Sequence, residues 1–95
     1  MTIRIDKWLW HARFYKTRPL AQAATHSGRL RLNGHRIEKP SVAVKPGDVL
    51  TVARGQEVLA VRVCAIGVRR GPASEARLLY EILTDDVLDP RPPAP

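Results

Sequence analysis

Apolar residues recur at helical spacing at the start of the chain: Ile5, Leu9 and Ala12, with Trp8 beside them. Arg4, Lys7 and His11 line another side of this stretch, and Trp10 and Arg13 a third. The spacing predicts a helix over residues 3–14 and a turn at Tyr15 and Lys16. Thr17 is a good N-cap, and Pro19 suits a first helical turn, where its missing N–H costs little. Leu20, Ala21, Ala23 and Ala24 make a compact apolar face, and Gly28 fits the position just past a helix end. A second helix is therefore expected over 18–27, with alanines small enough to let it pack close against the first.

From Arg29 the period changes to two. Arg29-Leu30-Arg31-Leu32 alternates basic with apolar, which predicts a strand with one face of each kind. Asn33-Gly34 is a strong hairpin signal, because a type I′ turn needs two residues at positive φ. His35-Arg36-Ile37 is then the returning strand, broken at Lys39-Pro40-Ser41, and Lys45-Pro46-Gly47-Asp48 is a turn. Two β-branched-rich strands are expected over 49–53 and 58–66, an exposed loop at Arg69-Arg70-Gly71-Pro72, and a last strand over 77–83. The tail 89–95 is Pro-rich and is expected to be disordered. Two helices followed by a small, mostly antiparallel sheet make an α+β pattern. Ninety-five residues allow one domain, expected over 1–88.

Charge changes the picture. Residues 1–45 hold ten Lys and Arg against two acids, Asp6 and Glu38, whereas 46–95 hold six against seven. The net charge of +7 thus arises in the N-terminal half. A folded segment with positive charge on its outside suits an acidic partner, either nucleic acid or an anionic membrane surface. Trp8, Leu9 and Phe14 would have to serve a membrane-binding face, but so small a domain needs them for its core. No apolar run approaches the roughly 20 residues that span a bilayer, and the N-terminus lacks an apolar signal region. Cys64 has no partner for a disulfide, which fits a reducing cytosol, and its strand position suggests a small buried apolar residue.

Arg4-Ile5-Asp6-Lys7-Trp8-Leu9, Lys16-Thr17-Arg18, Gly28, Asn33-Gly34, Pro40-Ser41 and Pro46-Gly47-Asp48 occur in an order and spacing that resembles the RNA-binding domain named after small-subunit ribosomal protein four, the S-four domain or alpha-L motif. The likeness covers about residues 3–53. Asp-Lys-Trp-Leu-Trp at 6–10, Lys-Thr-Arg at 16–18 and the short length resemble the heat shock protein 15 family within it. The resemblance implies two helices packed on a mostly antiparallel sheet, here with extra C-terminal strands. It also implies a non-catalytic protein of the bacterial cytoplasm that binds large-subunit ribosomal RNA. Its role would be to rescue or recycle stalled large subunits that carry a nascent chain on tRNA, as part of the heat-shock response. Ribosomal RNA and the large subunit are the implied partners, with tRNA a further candidate; charge alone predicts weak, nonspecific DNA binding. A monomer is expected. Two features depart from the family pattern: Pro19 follows Lys-Thr-Arg, and the chain after residue 86 is shorter than the basic extension expected of some members.

By the same resemblance Arg4, Lys7, Lys16, Thr17 and Arg18 face RNA. Electrostatics supports part of this independently, since N–H groups and the positive dipole end at Thr17-Arg18 favour a phosphate that Arg18 can grip bidentately. Arg13, Arg29, Arg31, Arg36 and Lys39 extend the patch. Contacts of this kind position RNA without reading its bases. Trp10, off the main apolar stripe, is either core or partly packed, or a platform for a base or ribose. The bland alternative for each cation is a solvated face, and for Asp6 a role in orienting neighbouring Arg or Lys or supporting the helix start. His11, His26 and His35 lie too far apart in sequence for a metal motif, no nucleophile has a paired base, and no glycine-rich phosphate loop is present, so no enzyme, metal or cofactor is expected. Two other readings compete: an RNA-recognition subunit for an RNA-modifying enzyme, and a helix-turn-helix DNA binder with the hairpin as its wing.

Overall fold

The first helix is shorter than its apolar spacing predicts. In the computed structural model, which describes residues 1–54 and 57–83, Ile3–Arg4 form a strand, β1, and the helix α1 occupies Ile5–His11. Strand β1 pairs antiparallel with β4 (Ala43–Val44), Ile3 opposite Val44. The Ile5 N–H donates to the Val42 carbonyl at 2.8 Å, so the chain before α1 is claimed by a neighbouring strand. The helix ends because Arg13 takes a left-handed conformation, φ 63°. There the Arg13 and Phe14 N–H groups close back on the carbonyls of Trp10 and Leu9, leaving Phe14 free to stack on Trp8 with ring centroids 5.9 Å apart.

Helix α2 (Arg18–His26) matches the expected span closely, but of its expected apolar face only Ala21 and Ala24 are buried, while Leu20 and Ala23 are exposed. Thr17 Oγ1 accepts from Leu20 N at 3.3 Å, and Pro19 sits in the first turn. Beyond the helix, Gly28 has φ 75°, and a Cβ there would run into the Arg36 guanidinium. That position favours glycine for its left-handed backbone, whereas the exposed Arg36 side chain could swing aside. Strands β2 (Leu30–Leu32) and β3 (His35–Ile37) form the predicted hairpin, with Asn33 and Gly34 at φ 51° and 86°. Asn33 also ties this turn to the next one: it accepts from Val49 N at 2.9 Å and donates to Asp48 at 3.2 Å. With β5 (Val49–Arg54), β6 (Glu57–Val63) and β7 (Tyr80–Ile82), the sheet runs β3-β2-β5-β6-β7, antiparallel throughout. The α+β architecture with added C-terminal strands is as expected.

One face of the sheet carries Leu30, Leu50, Val52, Val61 and Val63, all fully buried, and both helices pack on it through Ile5, Trp8, Leu9, Ala21 and Ala24. Trp8 is wholly inside, and its indole N–H donates to the Ala65 carbonyl at 2.8 Å.

Four expectations for the second half need correction, the first being the strand expected over 58–66, which ends at Val63. The stretch 77–83 is not one strand: α3 (Ala73–Ala76) and a 3-10 turn at Arg77–Leu79 precede the three-residue β7. Four helical residues are too few to show a period. Cys64 is exposed, because strand alternation turns it out with Arg62 while Val61 and Val63 turn in. The loop at 69–72 is only partly exposed: Gly71 is buried and Arg70 half-buried. The expected tail 89–95, and residues 84–88 of the expected domain, lie outside the described residues.

Candidate nucleic-acid interface

Asp6 is a fully buried carboxylate at the first turn of α1, and the basic residues near it are organised around it. Arg4 grips it through both ends, Nε to Oδ1 at 3.1 Å and Nη2 to Oδ2 at 3.2 Å. The Lys7 backbone N–H donates to Oδ1 at 2.9 Å. From α2, Gln22 Nε2 donates to Oδ2 at 3.0 Å, and Arg18 Nε reaches the same oxygen at 3.4 Å. Burial by itself would raise the Asp6 carboxyl. Hydrogen bonds from Gln22 and Arg4, the charge of Arg18 and the Lys7 N–H outweigh it and hold the group below the usual carboxylate range. An ionised Asp6 is thus the clamp between the two helices. The geometry supports both of its expected roles: it orients the neighbouring arginines, and it satisfies the Lys7 N–H at the helix start. The Arg4 and Arg18 side chains remain 48% and 37% exposed, so each guanidinium is held from inside while still meeting solvent.

Other expected contacts gather on the same side. Lys7 is exposed one residue beyond Asp6, and Lys16 and Thr17 are exposed at the turn into α2. Lys39 is exposed next to Pro40, whose carbonyl accepts from Asp6 N at 3.3 Å, so it lies by the start of α1. The N-terminus of α2 offers a phosphate less than the sequence suggests. Thr17 uses an oxygen lone pair on Leu20, Pro19 has no N–H, and only the Arg18 N–H of the first turn is left without a partner among the described residues.

The remaining expected residues part company. Arg31 and Arg36 face each other across β2 and β3 on the side of the sheet turned away from the helices. Arg36 also lies over Gly28 and pairs with Glu38 at 3.8 Å. Arg29 borders a groove with Tyr15, Leu20 and Ala23. Arg13 is exposed but committed, its Nε donating to the Gly71 carbonyl at 2.7 Å. Trp10 is half-buried, with the Arg70 guanidinium 5.7 Å from its ring centroid, so it is neither core like Trp8 nor an open platform. Arg70 was not singled out by sequence reasoning; the Arg69-Arg70 pair in a Gly-Pro loop was the available signal.

His11 lies under this layer. It is buried, and its Nδ1–H donates to the Ile66 carbonyl at 3.3 Å, beside an apolar cavity of about 240 Å³ lined by Gly67, Val68, Leu78 and Leu79. Burial lowers its pKa below the ordinary 6.5, and the charges of Lys7 and Arg18 add to the effect against the raising influence of Ile66. The folded state therefore binds this proton less readily than the unfolded chain, so stability is full above about pH 6.5 and falls with acidification through the folded pKa. Thermal unfolding should show a lower Tm at pH 5 than at pH 7, and His11→Gln should flatten that interval. Asp6 and Asp48, both held below 3.8, add a second loss only in stronger acid. An unchanged pH 5–7 profile in His11→Gln would assign the sensitivity elsewhere.

Among the described residues no group of three or more His, Cys, Asp or Glu could hold a metal, and no helix is long and apolar enough to cross a membrane. The model of the S4 domain family matches residues 3–50. Heat shock protein 15 of Escherichia coli (strain K12) is 48% identical over 85 residues, covering 90% of this chain and 63% of that protein. The RQC P-site tRNA stabilizing factor of Bacillus subtilis (strain 168) is 38% identical over 86 residues, covering 90% of this chain and 98% of the relative. A solved structure, described as trimeric, of Vibrio cholerae heat shock protein 15 superposes with a TM-score of 0.81 at 40% identity, covering 86% of this chain and 82% of that one. The chain thus spans less than two thirds of the Escherichia coli heat shock protein 15 that it matches.

Proposed function

Because the chain belongs to the heat shock protein 15 family of S4-domain proteins, we propose that it binds structured RNA of the large ribosomal subunit through the basic side of α1 and α2. The convergence of Arg4 and Arg18 on the buried Asp6 carries this reading. Two guanidinium groups held at fixed positions, with Lys7, Lys16 and Lys39 around them, suit the regular phosphate spacing of an RNA helix better than free side chains do. Fixing them beforehand lowers the ordering cost of binding. The reading includes no catalytic step, and it places the protein in the cytoplasm. Its finer form is rescue of stalled large subunits that carry a nascent chain on tRNA, as part of the heat-shock response. That form is supported by likeness to a protein described as stabilizing P-site tRNA. One copy of the chain carries every residue of this surface.

A mobility-shift titration against large-subunit ribosomal RNA, repeated over a range of salt, tests the reading. Binding should weaken linearly on logarithmic axes as salt rises. Lys7→Ala is the cleanest probe, since its side chain is exposed and Arg18 also serves Asp6. It should weaken binding and flatten the salt slope by about 0.7–0.9, the equivalent of one phosphate contact, with an unchanged Tm. Binding indifferent to salt, or duplex DNA that competes as well as structured RNA, would overturn the reading. Sedimentation of a tagged protein with free large subunits on a sucrose gradient would support its ribosomal form; migration with neither subunits nor ribosomes would remove it.

A further inference from the structure

The loop after β6 is docked onto the two-helix face by two arginines that reach in opposite directions. Arg13, at the end of α1, donates through Nε to the Gly71 carbonyl at 2.7 Å. Arg70, from the loop, lies over Trp10 and donates through Nη2 to the Lys16 carbonyl at 3.4 Å. Residues 54 apart in sequence are thereby brought side by side, and Arg70 stands next to the Lys16-Thr17-Arg18 turn. Among the described residues, that one long hydrogen bond and the face of Trp10 are what the fold offers it. A guanidinium carries five N–H donors, and the rest, including the buried Nε, have no protein partner among the described residues. An arginine placed only to pin the loop would be expected to spend more of its donors on the fold. The neighbouring Arg69 is exposed but paired, its Nη2 2.7 Å from Glu75 Oε1, and the Glu75 carboxylate also lies against Gly71.

We propose that this loop is a third side of the RNA surface, with Arg70 contacting a phosphate beside Lys16 and Arg18 and Glu75 restraining Arg69 from a second contact. The proposal rests on the RNA-binding reading above and adds to it a contact from the C-terminal half, whose overall charge gave no sign of one. The ligand is a phosphodiester backbone. Its path would cross from the start of α1 over the helix turn to the loop, a longer track than α1 and α2 provide alone.

The test uses the full chain, labelled large-subunit ribosomal RNA and salt titrations of four variants. Arg70→Gln keeps a planar, hydrogen-bonding side chain and removes the charge; it should weaken binding several-fold and flatten the salt slope by about 0.7–0.9. Glu75→Gln releases Arg69 and should tighten binding and steepen the slope. Glu81→Gln makes the same charge change on the opposite face of the sheet, where Glu81 pairs with Arg62 at 2.8 Å, and should do markedly less. Lys7→Ala reports on the α1 contact. If Lys7→Ala weakens binding while Arg70→Gln and Glu75→Gln match the wild type in affinity and slope, the loop contact is wrong and the helix surface stands. Equal gains from Glu75→Gln and Glu81→Gln would reduce the effect to net charge and likewise overturn the loop contact. If the wild type itself shows no salt-dependent binding, both readings fall. A merely structural Arg70 would lower the Tm of Arg70→Gln without moving the slope.

Discussion

Asp6→Ala should destabilise the protein by about 2–4 kcal/mol and at the same time cost it selectivity for structured RNA. Removing one partner of a buried ion pair costs about 3–5 kcal/mol when the remaining charge stays buried. Here the figure falls lower, because Arg4 and Arg18 are partly exposed and regain water once released. What stays uncompensated is the Gln22 amide and the Lys7 N–H, both left without their acceptor, and two cations close together without the carboxylate between them. Urea unfolding measures the stability change. The RNA effect runs through geometry against charge. The variant is one unit more positive, so attraction for any polyanion rises, while the guanidinium groups lose the anchor that spaces them. The ratio of affinities for large-subunit ribosomal RNA and single-stranded poly(U) should therefore fall, even if the salt slope grows. Asp6→Asn should lie between, since an amide keeps the shape and part of the hydrogen bonding without the charge. Wild-type stability and wild-type selectivity in Asp6→Ala would show that the clamp orients nothing.

Trp8→Ala is expected to cost about 3–5 kcal/mol, the range for emptying a buried aromatic site. Trp8 is the largest fully buried side chain, stacked on Phe14, which in turn meets Tyr80 at 4.7 Å between ring centroids. Its indole N–H also holds the Ala65 carbonyl, so the change removes one of the links between α1 and the segment that follows β6, leaving that of His11 to Ile66. For a domain of this size the total stability is about 5–14 kcal/mol, and a loss on this scale takes a large share of it. Trp8→Phe separates the contributions: it keeps most of the apolar volume and loses the hydrogen bond, for about 1–2 kcal/mol. RNA affinity of Trp8→Phe, measured where the protein remains folded, should match the wild type. A clear loss of affinity there would place Trp8 in the interface and not in the core.

Much of the fold was legible because its determinants are local. Helix α2 carries its own start at Thr17 and Pro19 and its own stop at Gly28, and the Asn33-Gly34 turn is encoded by two residues that tolerate positive φ. Alternation at Leu30, Arg31 and Leu32 assigned the inner and outer faces of β2 correctly. Local pattern misleads wherever a distant partner intervenes. Residues 3 and 4 have helical spacing, yet pairing with Ala43 and Val44 made them a strand. Arg13 resembled one more surface cation, but its left-handed backbone and its bond to Gly71 make it the joint between α1 and the docked loop. Arg31 and Arg36 belonged to one basic patch when charges were counted along the chain, and lie on the far side of the sheet when the strands are paired.

What the sequence alone determined is the division of labour within the first helix, with Ile5, Trp8 and Leu9 inward and Lys7 outward, because a 3.6-residue period is a property of consecutive residues. It also determined the positive sign of the N-terminal half. Only the tertiary structure decided which cations act together. Arg4 and Arg18 share Asp6 across a separation of 12 residues between the arginine of α2 and the carboxylate, and Arg70 reaches the Lys16 carbonyl across 54. Such pairings follow from how helices and loop settle on one sheet face, and neither a period nor a charge count carries that information.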